Sequence, residues 1–335
     1  MTIHFDYPRA YGGPVGSALL KKENCDFVVT ELFDRALSGE GEHLYLWVKS
    51  NGDNTQWLAK QMAERLGIDA VDVGFSGLKD RNAISYQWFS IYDPKREFND
   101  AIAEVFSQFD SSELLQISRD TQKLRRGVHA GNHFSIRLEF EETFTTQCMA
   151  RLENILRNVC DTGVPNYFGH QRFGHDGNNL KAFDDYVQLT KTKSRKRLRK
   201  PKGIVISAAR SQIFNTVLAL KVESGFWSER LAGDPQINGL PSSPLWGRGR
   251  LTSDGEAKRL EQTIADQFND WAGVLECLGL QQERRANICK PAKFDWSLAG
   301  RDLNLSFELP PGEYATTVLR EIAECYEPDR KRGRV

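Results

Sequence analysis

The sequence predicts an α+β protein in which a mostly helical segment interrupts a sheet-forming domain. Three observations support this fold class: strand and helix patterns alternate through the first half of the 335 residues, helices dominate from about residue 163 to about residue 290, and a strand pattern returns near the C-terminus. A lone returning strand needs a partner, so we expect it to pair with the N-terminal sheet. The predicted boundaries are 1–162 and 289–335 for the sheet domain and 163–288 for the insertion.

The first half contains several strands and one well-marked helix. Alternating or continuous apolar residues predict strands at 27–29, 43–49, 71–75, 87–92 and 134–140. Between the second and third strands, the recurrence of Leu58, Met62 and Leu66 every four residues predicts a helix. Asn54 is suited to cap its start, and Gly67 is suited to end it.

Helices predominate in the middle of the chain. Apolar periodicity predicts helices over 152–159, 207–225 and 260–268, and the loops after residue 225 are rich in Gly, Pro and Ser. The last strand, 303–309, alternates Leu and Phe with polar residues and ends at Pro310. We expect a final helix over 315–325.

The composition excludes several classes of protein. Forty-five Lys and Arg balance forty-five Asp and Glu, which excludes a histone-like polycation, and 40% hydrophobic residues exclude disorder throughout. We expect no membrane span and no signal peptide, because no apolar run approaches about 20 residues and the first residues carry no apolar stretch. The six cysteines lie far apart, which argues against a disulfide framework or a zinc finger. We therefore expect a soluble, cytoplasmic protein.

The polar turn at 75–83 is the segment that most suggests chemistry. Asp80 lies between Lys79 and Arg81, and this positive charge would keep its carboxylate ionised. An ionised carboxylate at the end of a strand suits a nucleophile or an electrostatic partner for a sugar carbon. The same residues also suit a solvated hairpin turn, so composition alone leaves both interpretations open.

Three basic clusters predict a phosphate-rich partner. Segment 191–202 carries eight basic side chains and no acidic one, and shorter clusters occupy 123–126 and 330–334. In a chain of zero net charge, such clusters create local positive patches that suit a nucleic-acid backbone, although a solvated loop is the alternative. The candidate RNA-binding residues are Lys79, Arg81, Lys193, Arg195, Lys196, Arg197 and Arg199.

A metal site is a weaker hypothesis. His170, His175 and Asp176 lie in one loop, but the two histidines are five residues apart and no third ligand follows at a useful spacing. The glycines at 12–16 match neither the dinucleotide nor the P-loop pattern. The sequence therefore predicts neither a metal nor a nucleotide cofactor.

Two long segments resemble signature motifs of the TruD family of tRNA pseudouridine synthases. Residues 77–87, GLKDRNAISYQ, resemble G-x-K-D-x-x-A-x-T-x-Q, and residues 164–174, VPNYFGHQRFG, resemble V-P-N-Y-F-G-x-Q-R-F-G. Segments 131–134, GNHF, and 311–316, PGEYAT, match two further blocks in the family's order. The resemblance runs from about Gly16 to about Glu324.

The resemblance implies both a fold and an activity. The fold would be a pseudouridine-synthase catalytic domain, with a curved mixed or antiparallel sheet and helices, interrupted by an inserted, mostly helical α/β TRUD domain. The activity would be isomerisation of uridine 13 in the D arm of tRNA. The resemblance implies no cofactor and no metal, with tRNA as the partner and no membrane or protein partner required.

The resemblance also implies roles for single residues. Asp80 matches the family's nucleophile, and Lys21 matches a lysine that pairs with it. Phe27, Asn132 and Tyr314 match positions that contact the substrate.

One more aromatic residue and two departures from the family pattern complete this comparison. Phe134 matches the aromatic residue that takes the place of a tyrosine in other synthases, and we expect it to bind the substrate as well. Ser85 stands where threonine is usual and keeps the hydroxyl. Tyr314 stands where we expect phenylalanine, so its ring suits stacking while its hydroxyl is unexplained.

Two functions of other classes remain as alternatives. A non-catalytic RNA-binding or chaperone protein of the same fold would bind RNA without forming product. A metal-dependent phosphodiesterase built on His170, His175 and Asp176 would lose its activity to a chelator.

Overall fold

The structure, a computed structural model, describes residues 6–192 and 198–328. The strands are β1 (Ser17–Leu20), β2 (Phe27–Leu32), β3 (His43–Asn51), β4 (Val73–Phe75), β5 (Ile84–Tyr92), β6 (Ser112–Asp120), β7 (Gly131–Phe140), β8 (Val164–Pro165), β9 (Gln236–Ile237), β10 (Leu240–Leu245), β11 (Glu283–Ala286), β12 (Ile288–Cys289), β13 (Ala292–Ala299), β14 (Asp302–Leu309) and β15 (Glu324–Tyr326). The helices are α1 (Thr55–Leu66), α2 (Phe98–Ser107), α3 (Thr146–Asp161), α4 (Asn178–Thr192), α5 (Gly203–Glu223), α6 (Gly255–Gln267), α7 (Asn269–Cys277) and α8 (Ala315–Ile322).

The described residues form two compact units, each assembled from segments that are distant in sequence. The sheet unit contains Val15–Met149, Pro291–Gly312 and the described residues from Ala323 onwards. The helical unit contains the described residues up to Pro14, Ala150–Lys290 and Glu313–Ile322. The predicted boundaries of a catalytic domain and an insertion stay a prediction.

One mixed sheet organises the sheet unit. Its main path runs β13-β14-β7-β2-β5-β3-β6, with β1 also paired to β7 and β15, and β4 paired to β5. The β2–β5 and β1–β15 pairs are parallel, and the other pairs are antiparallel. The predicted α+β class, with a mixed sheet and helices, is confirmed.

The returning strand pairs with the N-terminal sheet as expected. Strand β14 pairs with β7 from Asp302 opposite Glu139 to Leu309 opposite Asn132. The expectation that it would have no partner of its own is wrong, because β13 forms an antiparallel hairpin with it. A signal for β13 exists in the sequence, because Phe294, Trp296 and Leu298 alternate with polar residues, but the sequence analysis missed it.

Helices α1 and α2 pack on one face of the sheet. Leu44, Leu46 and Val48 of β3 are fully buried in a cluster that includes Leu58 and Met62 of α1. Burying an aliphatic side chain of this size contributes about 1.5–3 kcal/mol. The period-four stripe predicted from the sequence is therefore the face of α1 that anchors it to the sheet.

Local signals fixed the ends of α1 but not the start of β4. The Asn54 side chain accepts a hydrogen bond from the Trp57 backbone, and Gly67 adopts a φ of 67° at the end of the helix. The strand predicted over 71–75 begins only at Val73. Val71 lies in a 3-10 turn with 73% of its surface exposed, which removes it from the buried face.

The helical unit is built around α5. Ile213, Phe214 and Val217 of this helix are fully buried in a cluster with residues of α4, α6 and α7. Over the described residues, α5 alone is long and apolar enough to cross a membrane, yet 61% of its apolar window is buried inside the protein, as in a core helix. The final helix ends at Ile322 rather than at the predicted residue 325, because Glu324–Tyr326 forms β15 beside β1.

Candidate active site

The loop between β4 and β5 exposes one carboxylate. The Asp80 side chain is 54% exposed, and its Oδ2 lies 3.4 Å from the Nζ of Lys21. The other side of the loop is tied down: the Lys79 backbone donates to Thr55 Oγ1 at 2.9 Å, and Thr55 donates to Gln87 Oε1 at 2.8 Å. These bonds fix the backbone just before Asp80, so its carboxylate projects from a held segment.

Lys21 supplies the buried cation beside this carboxylate. It follows β1 with a φ of 57°, in the left-handed region that is uncommon for a residue with a side chain. Its Nζ lies 3.0 Å from Glu327 Oε1 and 4.7 Å from the centre of the Phe27 ring. Because the ammonium group is nearly buried, its interaction with the Asp80 carboxylate is screened less than a surface pair would be.

Three of the predicted substrate-contacting residues share one face of the sheet. Strand register places Val29 opposite Phe134 and Glu31 opposite Asn132 on β2 and β7, and Phe27 belongs to the same alternating set as Val29. The rings of Phe27 and Phe134 are 6.1 Å apart at an angle of 69°, an edge-to-face contact. Both rings are more than nine-tenths buried, so they also pack as core residues.

Lys79 points inward rather than towards solvent. It is 7% exposed, and its Nζ lies 3.5 Å from Glu31 Oε2 and 2.5 Å from Asn132 Oδ1. Burial lowers the pKa of Lys79, and the Glu31 carboxylate opposes that shift. A buried ammonium group that already has these partners is not available to an RNA phosphate, which differs from the role expected for Lys79 from the sequence.

Glu31 is the site residue to which the sequence analysis gave no role. It is 3% exposed, and its carboxylate accepts from Ser76 Oγ at 2.5 Å and from the Trp88 backbone at 3.4 Å. A signal for it exists in the sequence, since Phe27, Val29 and Glu31 alternate along β2 and all three face the buried side. An acid in phase with a buried apolar stripe needs a partner, and here Lys79 is that partner.

His129 lies in the same buried environment. Its Nδ1 is buried and has no hydrogen-bond partner among residues 6–192 and 198–328. Burial lowers the pKa of His129, and the Lys79 charge lowers it further, while the Glu31 charge raises it. The imidazole therefore favours its neutral form.

Tyr314 belongs to the helical unit, where its hydroxyl has a defined partner. Arg172 Nη2 donates to the Tyr314 hydroxyl at 3.0 Å, and Arg172 Nη1 donates to Ser207 Oγ at 3.1 Å. The guanidinium group also lies 5.2 Å from the centre of the Phe168 ring. The hydroxyl that the sequence left unexplained thus anchors the tyrosine ring to the segment 170–173.

The remaining basic candidates are only partly described. Arg81 is exposed, and its Nε donates to the Gly52 carbonyl at 3.3 Å. Arg199 is exposed as well. Four of the predicted RNA-binding residues lie outside the described residues: Lys193, Arg195, Lys196 and Arg197.

The histidine loop shows one close pair. His175 Nε2 lies 3.2 Å from Asp176 Oδ2, and both side chains are more than four-fifths exposed. Within the described ranges, no three His, Cys, Asp or Glu side chains lie together as a metal would require. The described residues therefore offer the His175–Asp176 pair, but no third side chain beside it that could complete a metal site.

The arrangement around Asp80 has a definite chemical capacity. A half-exposed carboxylate, held by a buried ammonium group, can attack an electron-poor carbon or accept a proton from a molecule that approaches from solvent. Asn132, half-buried on the neighbouring sheet face, adds an amide that can form hydrogen bonds with a planar base. These groups suit a reaction at a ribose carbon of a nucleotide.

Comparisons with known proteins show a family relationship. The family model of tRNA pseudouridine synthase D (TruD) matches residues 11–186 and 235–322. The chain is 42% identical over 321 residues to a tRNA pseudouridine synthase D of Cellvibrio japonicus, covering 95% of this chain and 92% of that protein. It is 37% identical over 344 residues to the protein of the same name from Aeromonas hydrophila, covering 95% and 94%.

A solved structure shares the fold. A crystal structure from Methanosarcina mazei, described as a tRNA pseudouridine synthase D, matches with a TM-score of 0.69 and covers 97% of this chain and 96% of that chain. The two sequences are 19% identical, so this likeness concerns the fold alone.

Proposed function

The chain belongs to the tRNA pseudouridine synthase D (TruD) family, and from this premise we propose that it isomerises uridine 13 in the D arm of tRNA to pseudouridine, with Asp80 as the nucleophile. The observation that carries the proposal is the exposed Asp80 carboxylate held by buried Lys21. Asp80 also lies within the segment 77–87 that resembles the family signature.

The reaction sets clear demands on the protein. The C1′–N1 bond of uridine breaks and a C1′–C5 bond forms, so every atom is retained and the oxidation state is unchanged. The barrier lies in detaching uracil as an anion while the sugar becomes electron-poor. A carboxylate that stabilises this sugar meets the main demand, and the chemistry itself calls for no electron carrier.

Asp80 has two ways to meet that demand. Its carboxylate attacks C1′ to give an acylal, or it removes the 2′ proton to give a glycal. Both routes require an ionised carboxylate, and the buried Lys21 ammonium group lies 3.4 Å from Asp80 Oδ2. Lys21 is thus proposed to hold the Asp80 carboxylate in position.

The base must leave the RNA stack and be held while it turns. Phe27 and Phe134 contact each other on the same sheet face as Asn132, whose amide suits the polar edge of uracil. We assign Tyr314 a stacking role, with its orientation set by Arg172. Buried Lys79 is given no direct contact with RNA. The residues proposed to bind RNA are Arg81, Lys193, Arg195, Lys196, Arg197 and Arg199.

The alternatives make different use of the same residues. A chaperone of this fold gives no reason for one carboxylate to be exposed and held by a buried lysine. A phosphodiesterase would rest on the exposed His175–Asp176 pair. A tRNA-modifying enzyme works where tRNA is, so the proposed location is the cytoplasm, with no protein partner required.

The test is incubation of the protein with unmodified tRNA transcript, followed by carbodiimide treatment and primer extension. The transcript is folded first and EDTA is then added. We expect primer extension to stop at one enzyme-dependent position, uridine 13. Binding without any stop would contradict the proposal in favour of a chaperone. Transcript cleavage that EDTA abolishes would contradict it in favour of a phosphodiesterase.

A further inference from the structure

The contact between Lys79 and Asn132 determines which way the asparagine amide is turned. Lys79 Nζ lies 2.5 Å from Asn132 Oδ1. A lysine ammonium group has three hydrogen-bond donors and no acceptor, so it can bond only the oxygen of an amide. The oxygen of Asn132 therefore faces Lys79, and the NH2 group lies on the other side of the amide.

Glu31 holds Lys79 in the position that this contact requires. Glu31 and Asn132 are directly opposite each other on β2 and β7, and the Lys79 ammonium group contacts both side chains. The Glu31 carboxylate is itself fixed by Ser76 and by the Trp88 backbone. Because Glu31 and Lys79 are both buried, this frame has little freedom to rearrange.

The NH2 group of Asn132 is placed to meet a ligand. Asn132 is half-buried, and within 6–192 and 198–328 its side chain forms a hydrogen bond with Lys79 alone. Strand register puts it two residues from Phe134 on the same face of β7, beside the face of β2 that carries Phe27. A base held by these rings would meet an amide donor, not an acceptor.

We propose that Glu31 and Lys79 are positioning residues that turn the Asn132 NH2 group towards the target base, where it donates a hydrogen bond to a carbonyl oxygen of uracil. This inference rests on the proposed function. It specifies that the group recognised by Asn132 is O2 or O4, and not the N3–H of the base. Lys79 thereby contributes to base recognition without touching the RNA.

The substitution Asn132→Asp separates this role from a merely structural one. Aspartate keeps an oxygen for Lys79 and adds an ion pair, so a purely structural contact would be preserved or strengthened. It has no NH2 group, so donation to the base is lost. The inference therefore predicts a folded variant with impaired recognition.

The experiment uses full-length tRNA transcripts that carry uridine, 2-thiouridine or 4-thiouridine at the target position. Sulfur is a weaker acceptor than oxygen, so the wild-type protein should prefer oxygen at the carbonyl that Asn132 contacts, measured as a ratio of kcat/KM values. Thio substitution also alters the base chemistry, but equally in every variant. We expect the preference at one of the two positions to fall about tenfold in Asn132→Asp and in Lys79→Met.

Matched variants keep the result interpretable. Lys60→Met removes an exposed lysine that pairs with Glu64 on α1 and should leave the preference unchanged. If Lys79→Met leaves Glu31 unpaired and fails to fold, the double variant Glu31→Gln/Lys79→Met removes both buried charges together. Asn132→Asp by itself decides whether the amide acts as a donor.

Two results would overturn the inference while leaving the proposed function intact. One is an unchanged preference for oxygen at both positions in Asn132→Asp. The other is a loss of turnover in Lys79→Met that is equal for all three transcripts, which would make Lys79 purely structural. A wild-type protein that forms no pseudouridine in the unmodified transcript would contradict the proposed function itself, and this inference with it.

Discussion

Asp80 and Lys79 are neighbours in sequence with opposite environments. Asp80 is half-exposed and pairs with Lys21, which follows β1, whereas Lys79 is buried and pairs with Glu31 of β2. Partly exposed pairs contribute about 0–1 kcal/mol to stability, but leaving one partner of a buried pair alone costs about 3–5 kcal/mol. Changes at Asp80 should therefore act on chemistry, and changes at Glu31 should act on folding as well.

Glu313, which precedes Tyr314, gives the stability of the helical unit a pH dependence. Burial raises the pKa of its carboxyl group, against the opposing effects of the Cys289 hydrogen bond and the Arg285 charge. A group whose pKa is raised on folding stabilises the fold below its unfolded pKa, about 4.3, and this contribution is lost as the pH rises through the folded pKa. The wild type should therefore lose stability over that interval.

We predict that Glu313→Gln removes this part of the pH dependence. Melting is followed by circular dichroism. The melting temperature of the variant minus that of the wild type should increase from pH 4 to pH 8. Glu153→Gln, at an exposed residue paired with Arg157 on α3, is the control. Its melting temperature should differ from that of the wild type by a constant amount across this pH range. A constant difference for Glu313→Gln as well would show that burial does not disfavour the ionised form of Glu313.

Among the elements, β7 does the most to assemble the site. It pairs with β14 along its length and with both β1 and β2, so it aligns Asn132 and Phe134 with Phe27 and brings in the strand that leads to Lys21. At its first residue the backbone of β14 comes unusually close. A Cβ atom on Gly131 would lie 2.4 Å from the Leu309 carbonyl oxygen.

We predict that Gly131→Ala forces β7 and β14 apart next to Asn132. Overpacking of this kind costs about 1–3 kcal/mol, so the urea midpoint should fall and the rate of tRNA modification should fall with it. Gly16→Ala is the matched control in the same unit, because its new Cβ atom would only touch the Phe140 ring at 3.7 Å. Equal midpoints for the two variants would contradict the close approach at Gly131.

The sequence predicted these elements better than it predicted their contacts. The alternation in β7 and the caps of α1 are local signals, and both elements formed as expected. The inward turn of Lys79 was not predictable from the loop, because it depends on Glu31, about fifty residues away on another strand. Strand β13 was predictable from the alternation of Phe294, Trp296 and Leu298 with polar residues, and the sequence analysis missed it.

At the scale of the whole molecule, zero net charge coexists with concentrated positive charge. Segment 191–202 holds eight basic residues, of which four are described and exposed: Lys191, Arg199, Lys200 and Lys202. A phosphate backbone bound there would release counterions, and the affinity would fall steeply with salt. The net charge therefore does not describe the charge of the segment that is proposed to bind RNA.

We predict that neutralising Lys193, Arg195, Lys196, Arg197 and Arg199 weakens tRNA binding while leaving turnover at saturation nearly intact. Each lost phosphate contact should reduce the slope of log K against log salt by roughly one. The control neutralises five exposed basic residues elsewhere: Lys60, Lys95, Arg157, Lys258 and Arg259. A slope that is unchanged, or that changes equally in the control, would mean that the segment is only a solvated loop.

The central claim is that the Asp80 carboxylate performs the chemistry, and Asp80→Asn tests it most directly. The substitution keeps the volume of the side chain but removes the charge that both proposed routes require. With the fold verified by circular dichroism, we expect pseudouridine formation in tRNA transcript to fall by several orders of magnitude while tRNA binding is equal or slightly tighter. A folded Asp80→Asn variant that retains a tenth of the wild-type rate would contradict the account.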